Sequence, residues 1–520
     1  MADEGIPEKM KTVTNTADDH EDVEVVNASG HKQELERNFS LLSICATAIT
    51  TGNTWTAAGG SITASLSNGG PPGALYEFIA VSVCYWLVAS SIAELASAMP
   101  SASGVYHWAS VTAGKYGRPC GFFAGWWNVL AWIFGAASMA AILGNQTVSM
   151  YALFHPGFTP QAWHVFVSFI ICSSLCCATV LFANRALPAI GNLGGFFILA
   201  GVLITIIVCA VMPHVTGAGY LSSETVWRGW TNNTGYSSQG FVFVAGMLNG
   251  AYSVGNPDIS THLAEEIPRP SKNVPKAVLA QMSIGFITGF LYLIAILYSI
   301  HDLEGVMSST FNFPIAEIYR QATGSNGGAL GLLIVAFIPT TITCIGCYMT
   351  AGRTLWTISR DRATPFPNWL GRVNRTTQNP FNATLTCGIV VTILACIYVG
   401  STTAFEAFIG SFVQLSSLSY LAAILPHLLT KRSSVKPGHF WMGRIGFVVN
   451  LLASIYIAAF VVIFCFPYIV PTDATSMNYA CLITGGLTIF VGAWWLVRMR
   501  TYEGPQSIPL TDKIIPEDAI

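Results

Sequence analysis

Twelve runs of mainly apolar residues, each long enough to cross a bilayer as a helix, decide what this chain can fold into. They fall at about 40–66, 74–98, 121–149, 163–183, 189–212, 240–264, 277–300, 329–352, 383–400, 403–430, 445–466 and 478–498. Inside hydrocarbon every backbone donor and acceptor must be met within the protein, so the runs read as helices and the chain as an all-α polytopic membrane protein. Only 10% of its 520 residues are charged, against about one quarter in soluble domains. Residues 1–38 hold ten acids and four bases with no apolar run beside a basic start, and read as a disordered acidic tail rather than a cleavable signal.

Lysine and arginine set the orientation. With the N-terminus cytoplasmic, inward connections carry fifteen of these residues and outward connections carry only Arg228 and Arg320. Both termini, including the tail at 500–520, are therefore placed in the cytoplasm, in what is read as a plasma-membrane protein. Asn232 heads a glycosylation sequon on the exterior side. The inward stretch 98–117, with Tyr106 and Trp108, lies either along the membrane surface or against the inner mouth. Glycines four apart, such as Gly121 with Gly125 and Gly246 with Gly250, mark close helix crossings. The thirteen cysteines lie in or beside apolar runs, and no disulfide is expected; Cys344 and Cys347 read as packing.

Two of the runs are interrupted. Gly250, Gly255, Asn256 and Pro257 cannot share an unbroken helix, and Thr50 to Gly60 (TTGNTWTAAGG) interrupts the first run. Open backbone at membrane depth persists only where it is buried in protein or lines a cavity. Matching interruptions in two halves point to the midplane site of a secondary transporter.

Acids inside the runs are confined to Glu77, Glu94, Asp258 and Glu406, with Glu77 at an outer edge, and no lysine or arginine lies deep in any run. An ionisable group at such depth faces a cavity or a partner. Asp258 reads either as a counter-charge or proton carrier, or as a first-turn stabiliser behind Asn256 as N-cap and Pro257 at N1. Glu94 is either a proton relay or a group reaching inner-leaflet water, and Glu406 has no firmer reading than a gate or interface contact. Trp55 and Tyr252 are the aromatic residues nearest the interruptions, and aromatic faces hold quaternary ammonium groups by cation–π attraction. Trp126 and Trp127, nearer the inner end, fit anchoring or packing better. No P-loop, G-x-S-x-G, H-E-x-x-H or G-x-G-x-x-G occurs, and the ten histidines are scattered, which argues against ATP-driven transport and against an enzyme.

Five stretches carry a resemblance: SIAELASAMPSASGVYHWAS from Ser91, YALFHPGFTPQAWHVF from Tyr151, HLAEEIPRPSKNVPKAV from His262, GRTLWTISRDRATPFPNWLGRVN from Gly352 and PGHFWMGRIGFVVN from Pro437. Through them residues 39–499 resemble the fungal branch of the amino acid-polyamine-organocation superfamily that contains choline and GABA permeases. The resemblance implies the leucine-transporter fold, with inverted five-helix repeats at 39–212 and 240–430 and two added helices at 441–499. It also implies alternating access, in which spans eight and ten move against the bundle. The lysine that some superfamily members carry in span five has no counterpart here.

The reading that results is a secondary active importer of a small nitrogenous solute, choline first and GABA, other amino acids or polyamines as alternatives. Thr51, Gly52, Asn53, Trp55, Asn249, Tyr252 and Ser253 are the expected solute contacts, with the headgroup between Trp55 and Tyr252. Asp258 and Glu94 are the candidates for coupling to a proton as co-substrate. No cofactor, metal or nucleic acid is implied; the bilayer is the expected surrounding. A rival reading is a nutrient receptor that signals through its acidic tail.

Overall fold

The computed structural model describes residues 35, 37–309, 311, 313–400, 403–474 and 476–505. The acidic tail predicted for 1–38 lies outside these apart from residues 35, 37 and 38, as does the C-terminal tail from 506. Among the described residues the secondary structure is helical, with two isolated bridges, Asn68 to Asn232 and Asn374 to Asn379.

The first apolar window holds three short helices, α1 (Leu41–Gly52), α2 (Thr54–Gly60) and α3 (Ile62–Ser67). Long helices follow as α4 (Gly70–Ala98), then α5 (Gly104–Thr112), α6 (Gly117–Ala152), α7 (Ala162–Phe182), α8 (Leu187–Val215) and the short α9 (Ser223–Arg228). The sixth window holds α10 (Gln239–Val254) and a 3-10 helix, Ile259–Glu266. The rest comprises α11 (Pro270–Ser299), α12 (Leu303–Met307), α13 (Ile315–Thr323), α14 (Asn326–Arg360), α15 (Pro367–Leu370), α16 (Phe381–Gly400), α17 (Ala404–Leu429), α18 (Ile445–Ile463) and α19 (Tyr479–Arg498). Ten of these helices are long and apolar enough to cross a membrane. The two remaining windows of the sequence are the two that break.

Several helices outrun their apolar windows, because helical hydrogen bonding continues beyond the hydrocarbon where polar side chains find partners. The last turns of α14 carry Arg353 and Arg360, which pair with Glu266 and Glu265 of the 3-10 helix. The Arg353 pair is a two-pronged contact at 2.5 and 2.9 Å, with both side chains buried. Helix α6 forms the centre of the bundle, with α14 and α17 packed along it.

The stretch 98–117 is not a surface segment. Its helix α5 buries Tyr106, His107 and Trp108 against α6 and α17, and Thr112 donates to the Ala423 carbonyl at 3.0 Å. Glycine makes that approach close: a Cβ on Gly125 would stand 2.9 Å from the Tyr106 ring, and one on Gly250 would overlap Val81 of α4. The segment after α19 also folds back onto this end. The Tyr502 hydroxyl lies 2.9 Å from that of Tyr106, which donates to Asp361 at 2.7 Å. Burial pushes both phenols above the usual tyrosine range.

Candidate functional site

The two breaks are built differently. The first is a single residue: Asn53 takes a left-handed conformation (φ 30°, ψ 51°), ending α1 and starting α2 while its N–H still reaches the Ile49 carbonyl at 2.9 Å. Asparagine is one of the few side chains that accept this conformation. The second spans Gly255 to Asp258, after which the chain resumes as a 3-10 helix rather than an α-helix. Residues 50–58 and 249–267 are buried throughout.

Each break is met by side chains from helices distant in sequence. Thr343 of α14 donates to the freed Thr50 carbonyl at 2.7 Å. Gln281 of α11 donates to both the carbonyl (3.0 Å) and the side-chain oxygen (2.8 Å) of Asn256. A Cβ on Gly52 would stand 3.0 Å from the same Gln281 side chain, so this one glutamine touches both breaks. Nearby polar atoms have no protein partner: both side-chain atoms of Asn53, Thr56 Oγ1, Trp55 Nε1 and Gln281 Oε1. Buried polar groups left open in this way are costly unless something else meets them.

Asp258 is fully buried and saturated. Its Oδ2 accepts from Asn128 Nδ2 (2.8 Å) and Trp132 Nε1 (3.3 Å) of α6 and lies 3.1 Å from His262 Nε2; its Oδ1 accepts from the Tyr420 hydroxyl of α17 at 2.6 Å. The other His262 ring nitrogen lies 3.2 Å from the Ala102 carbonyl. The first-turn reading of Asp258 is therefore replaced. Its side chain caps nothing, and the Asn256 side chain, expected as N-cap, is held by Gln281 instead. A carboxylate taking charge-assisted bonds from two neighbouring helices and its own turn fixes the second break against α6 and α17.

The aromatic side chains sort into two clusters. Trp55 stacks edge-on against Tyr292 of α11, with ring centroids 5.1 Å apart. Tyr252 donates to Ser138 Oγ at 2.9 Å and packs edge-on at 6.0 Å against Phe412, which in turn meets Trp132 at 5.7 Å. Trp55 and Tyr252, expected on either side of a headgroup, thus have separate ring neighbours, Tyr252 joining Phe412 and Trp132 beside Asp258. Trp126 and Trp127 donate to the Ala363 carbonyl and to Thr488, which makes them ties between elements.

The other expected residues are placed as follows. Asn249 bonds Ser65 (2.5 Å) and Ser61, stitching α10 to α3 and the end of α2. Ser253 is buried and donates back to the Asn249 carbonyl at 3.0 Å. Thr51 packs where Gly346 of α14 leaves room. Glu94 lies away from both breaks and away from water: it is buried, pairs with Arg432, and has His427 Nε2 at 3.8 Å.

Sequence reasoning missed Gln281, Tyr420, Asn128, Phe412 and Arg432. Only His262 had a local signal, four residues after Asp258 and on its face of the turn.

Comparison with known proteins places this geometry. A family model described as an amino acid permease matches residues 39–487. A choline transporter of Saccharomyces cerevisiae is 33% identical over 488 residues, covering 92% of this chain and 84% of that protein. An amino-acid permease of Arabidopsis thaliana is 26% identical over 507 residues, covering 92% and 95%. A mutant manganese transporter of Eremococcus coleocola shares the fold, with a TM-score of 0.55 and 14% identity over 89% of this chain and 95% of that one. The fold is thus the leucine-transporter type that the resemblance implied, and the chain is a transporter rather than an enzyme.

Replacing Gln281 with Leu strips the Asn256 carbonyl of its partner, a loss of about 1–3 kcal/mol for a buried acceptor. Amide hydrogen exchange across 255–259 is expected to speed up by about tenfold to a hundredfold. Unchanged protection there would remove Gln281 from its role in holding the break.

Proposed function

Because the chain belongs to the amino acid permease family, we propose that it is a secondary active importer of a small nitrogenous solute, with choline the first candidate. The observation that carries this reading is the pair of buried breaks with unpartnered polar atoms on one side and an aromatic and carboxylate cluster on the other. A trimethylammonium headgroup sits against Tyr252, Phe412 and Trp132, whose faces attract a cation without needing a charged partner. Asp258 supplies negative charge behind them. The polar end of the solute meets Asn53, the backbone at Thr51 and Gly52, and the turn Asn249 to Ser253. Two sequence relatives lend support, one a choline transporter and one a putative amino acid/polyamine transporter of Macrophomina phaseolina that is 28% identical over 432 residues.

Movement follows from the repeats at 39–212 and 240–430 working as alternating halves, with α14 and α17 shifting against the broken helices. On this reading both termini lie in the cytoplasm, which the basic connections support, and the membrane is the plasma membrane. In the proton-coupled form of this reading, Asp258 and His262 share the transported proton, since any change in their charge alters the three contacts that tie the second break to α6 and α17. Glu94 is given a different part, pairing with Arg432 at the cytoplasmic end.

Uptake of labelled choline into cells lacking their own choline permease tests the substrate, with GABA, amino acids and polyamines as unlabelled competitors. Saturable uptake blocked only by close choline analogues is the expected result. Flux of a competitor without flux of choline would move the substrate to that class.

Replacing Asp258 with Asn is expected to keep the protein at the cell surface and cut uptake about tenfold or more, the equivalent of about 1.4 kcal/mol in the rate-limiting step. Uptake by that variant with an unaltered pH profile would take Asp258 out of the mechanism.

A further inference from the structure

A cavity of about 350 Å³ opens at the end of the bundle opposite the basic connections, within the range of about 300–1,000 Å³ for small-molecule sites. Its floor is made by Ser61 and Asn249, the residues that stitch the two broken segments together. One wall is Glu406, half-buried in the first turn of α17. The lining also carries the aromatic rings of Tyr236, Phe464, Phe466 and Tyr468. The Tyr468 hydroxyl donates to the Glu406 carbonyl at 3.3 Å, which keeps the ring beside the carboxylate, while Gln414 and Asn478 both hold the Phe464 carbonyl (2.8 and 2.7 Å) and fix the rim.

The charge balance of this cavity is one-sided. Among the described residues, no lysine, arginine or histidine lines it. Behind Gly246, one of its lining residues, lies the Glu77 carboxylate, 1% exposed and with neither oxygen partnered among the described residues. A Cβ on Gly246 would overlap that carboxylate, so only glycine fits between it and the cavity. A recess with low-dielectric walls and charge of one sign concentrates counter-ions.

We infer that this cavity is a second binding site, for a small organic cation such as a quaternary ammonium, one helical turn ahead of Tyr252 and separated from it by the Asn249 floor. Glu406 supplies the attracting charge in its ionised form, which a cation beside it favours, and the four aromatic rings supply a surface that an anion or a neutral polar solute does not use. The side from which the site is reached rests on the orientation given above; its cation selectivity does not depend on choline being the cargo.

The test places a cysteine at Ile469, a lining residue 44% exposed, and compares two methanethiosulfonate reagents, one bearing trimethylammonium and one bearing sulfonate. Rates are normalised to a free thiol and to the parent chain without this cysteine, in intact and in permeabilised cells. The cationic reagent is expected to react about tenfold or more in excess of the anionic one, an excess that shrinks as salt rises. Tetramethylammonium should protect the cysteine, and Glu406→Gln should abolish both the excess and the protection. Equal normalised rates, or an excess untouched by salt and by Glu406→Gln, would overturn the site. Reaction only after permeabilisation would contradict the orientation instead, and the charge comparison would then decide the site from the other face.

Discussion

Backbone that leaves the helix inside a membrane must find its hydrogen bonds elsewhere in the protein, and the rest of this structure is arranged around that requirement. Thr343 and Gln281 meet the two breaks from α14 and α11, and Asp258 gathers donors from α6 and α17. Four helices are thereby tied to the two broken segments through side chains, not backbone. Such ties can be exchanged one at a time, which is what a site that binds, moves and releases a solute needs.

The two ends of the bundle differ in kind. At the basic end, charges are paired: Glu266 with Arg353, Glu265 with Arg360 and Glu94 with Arg432, with the Phe39 N–H on the Glu266 carbonyl at 3.1 Å. Removing one partner of such a buried pair costs about 3–5 kcal/mol, because the other charge is left uncompensated. At the opposite end a cavity reaches down to Asn249, and the Glu77 carboxylate behind its lining has no partner among the described residues.

Much of this was legible in the sequence. Gly255, Asn256 and Pro257 marked the second break; the stretch TTGNTWTAAGG marked the region of the first, which turns on Asn53 while its glycines stay helical; and apolar run length gave the long helices. Asp258 stood out because carboxylates are so rare in such runs. What the sequence did not show was who pairs with whom. Gln281 is 25 residues from Asn256, Tyr420 lies 162 from Asp258, and Arg432 lies 338 from Glu94. Those contacts follow from tertiary packing and leave no periodic or local trace. The ring neighbours of Trp55 and Tyr252 were hidden for the same reason: being close to a break along the chain does not fix the direction in which a ring points.

The central claim is that two breaks, held by Gln281, Thr343 and the Asp258 contacts, enclose the solute. A cryo-EM map of the purified chain in lipid nanodiscs with saturating choline, or with whichever competitor uptake identifies, tests it most directly. The account predicts solute density level with Asn53 and Tyr252, flanked by Phe412 and Trp132, with the chain non-helical at 255–258. An unbroken helix through 249–262, or solute held outside both broken segments, would contradict it.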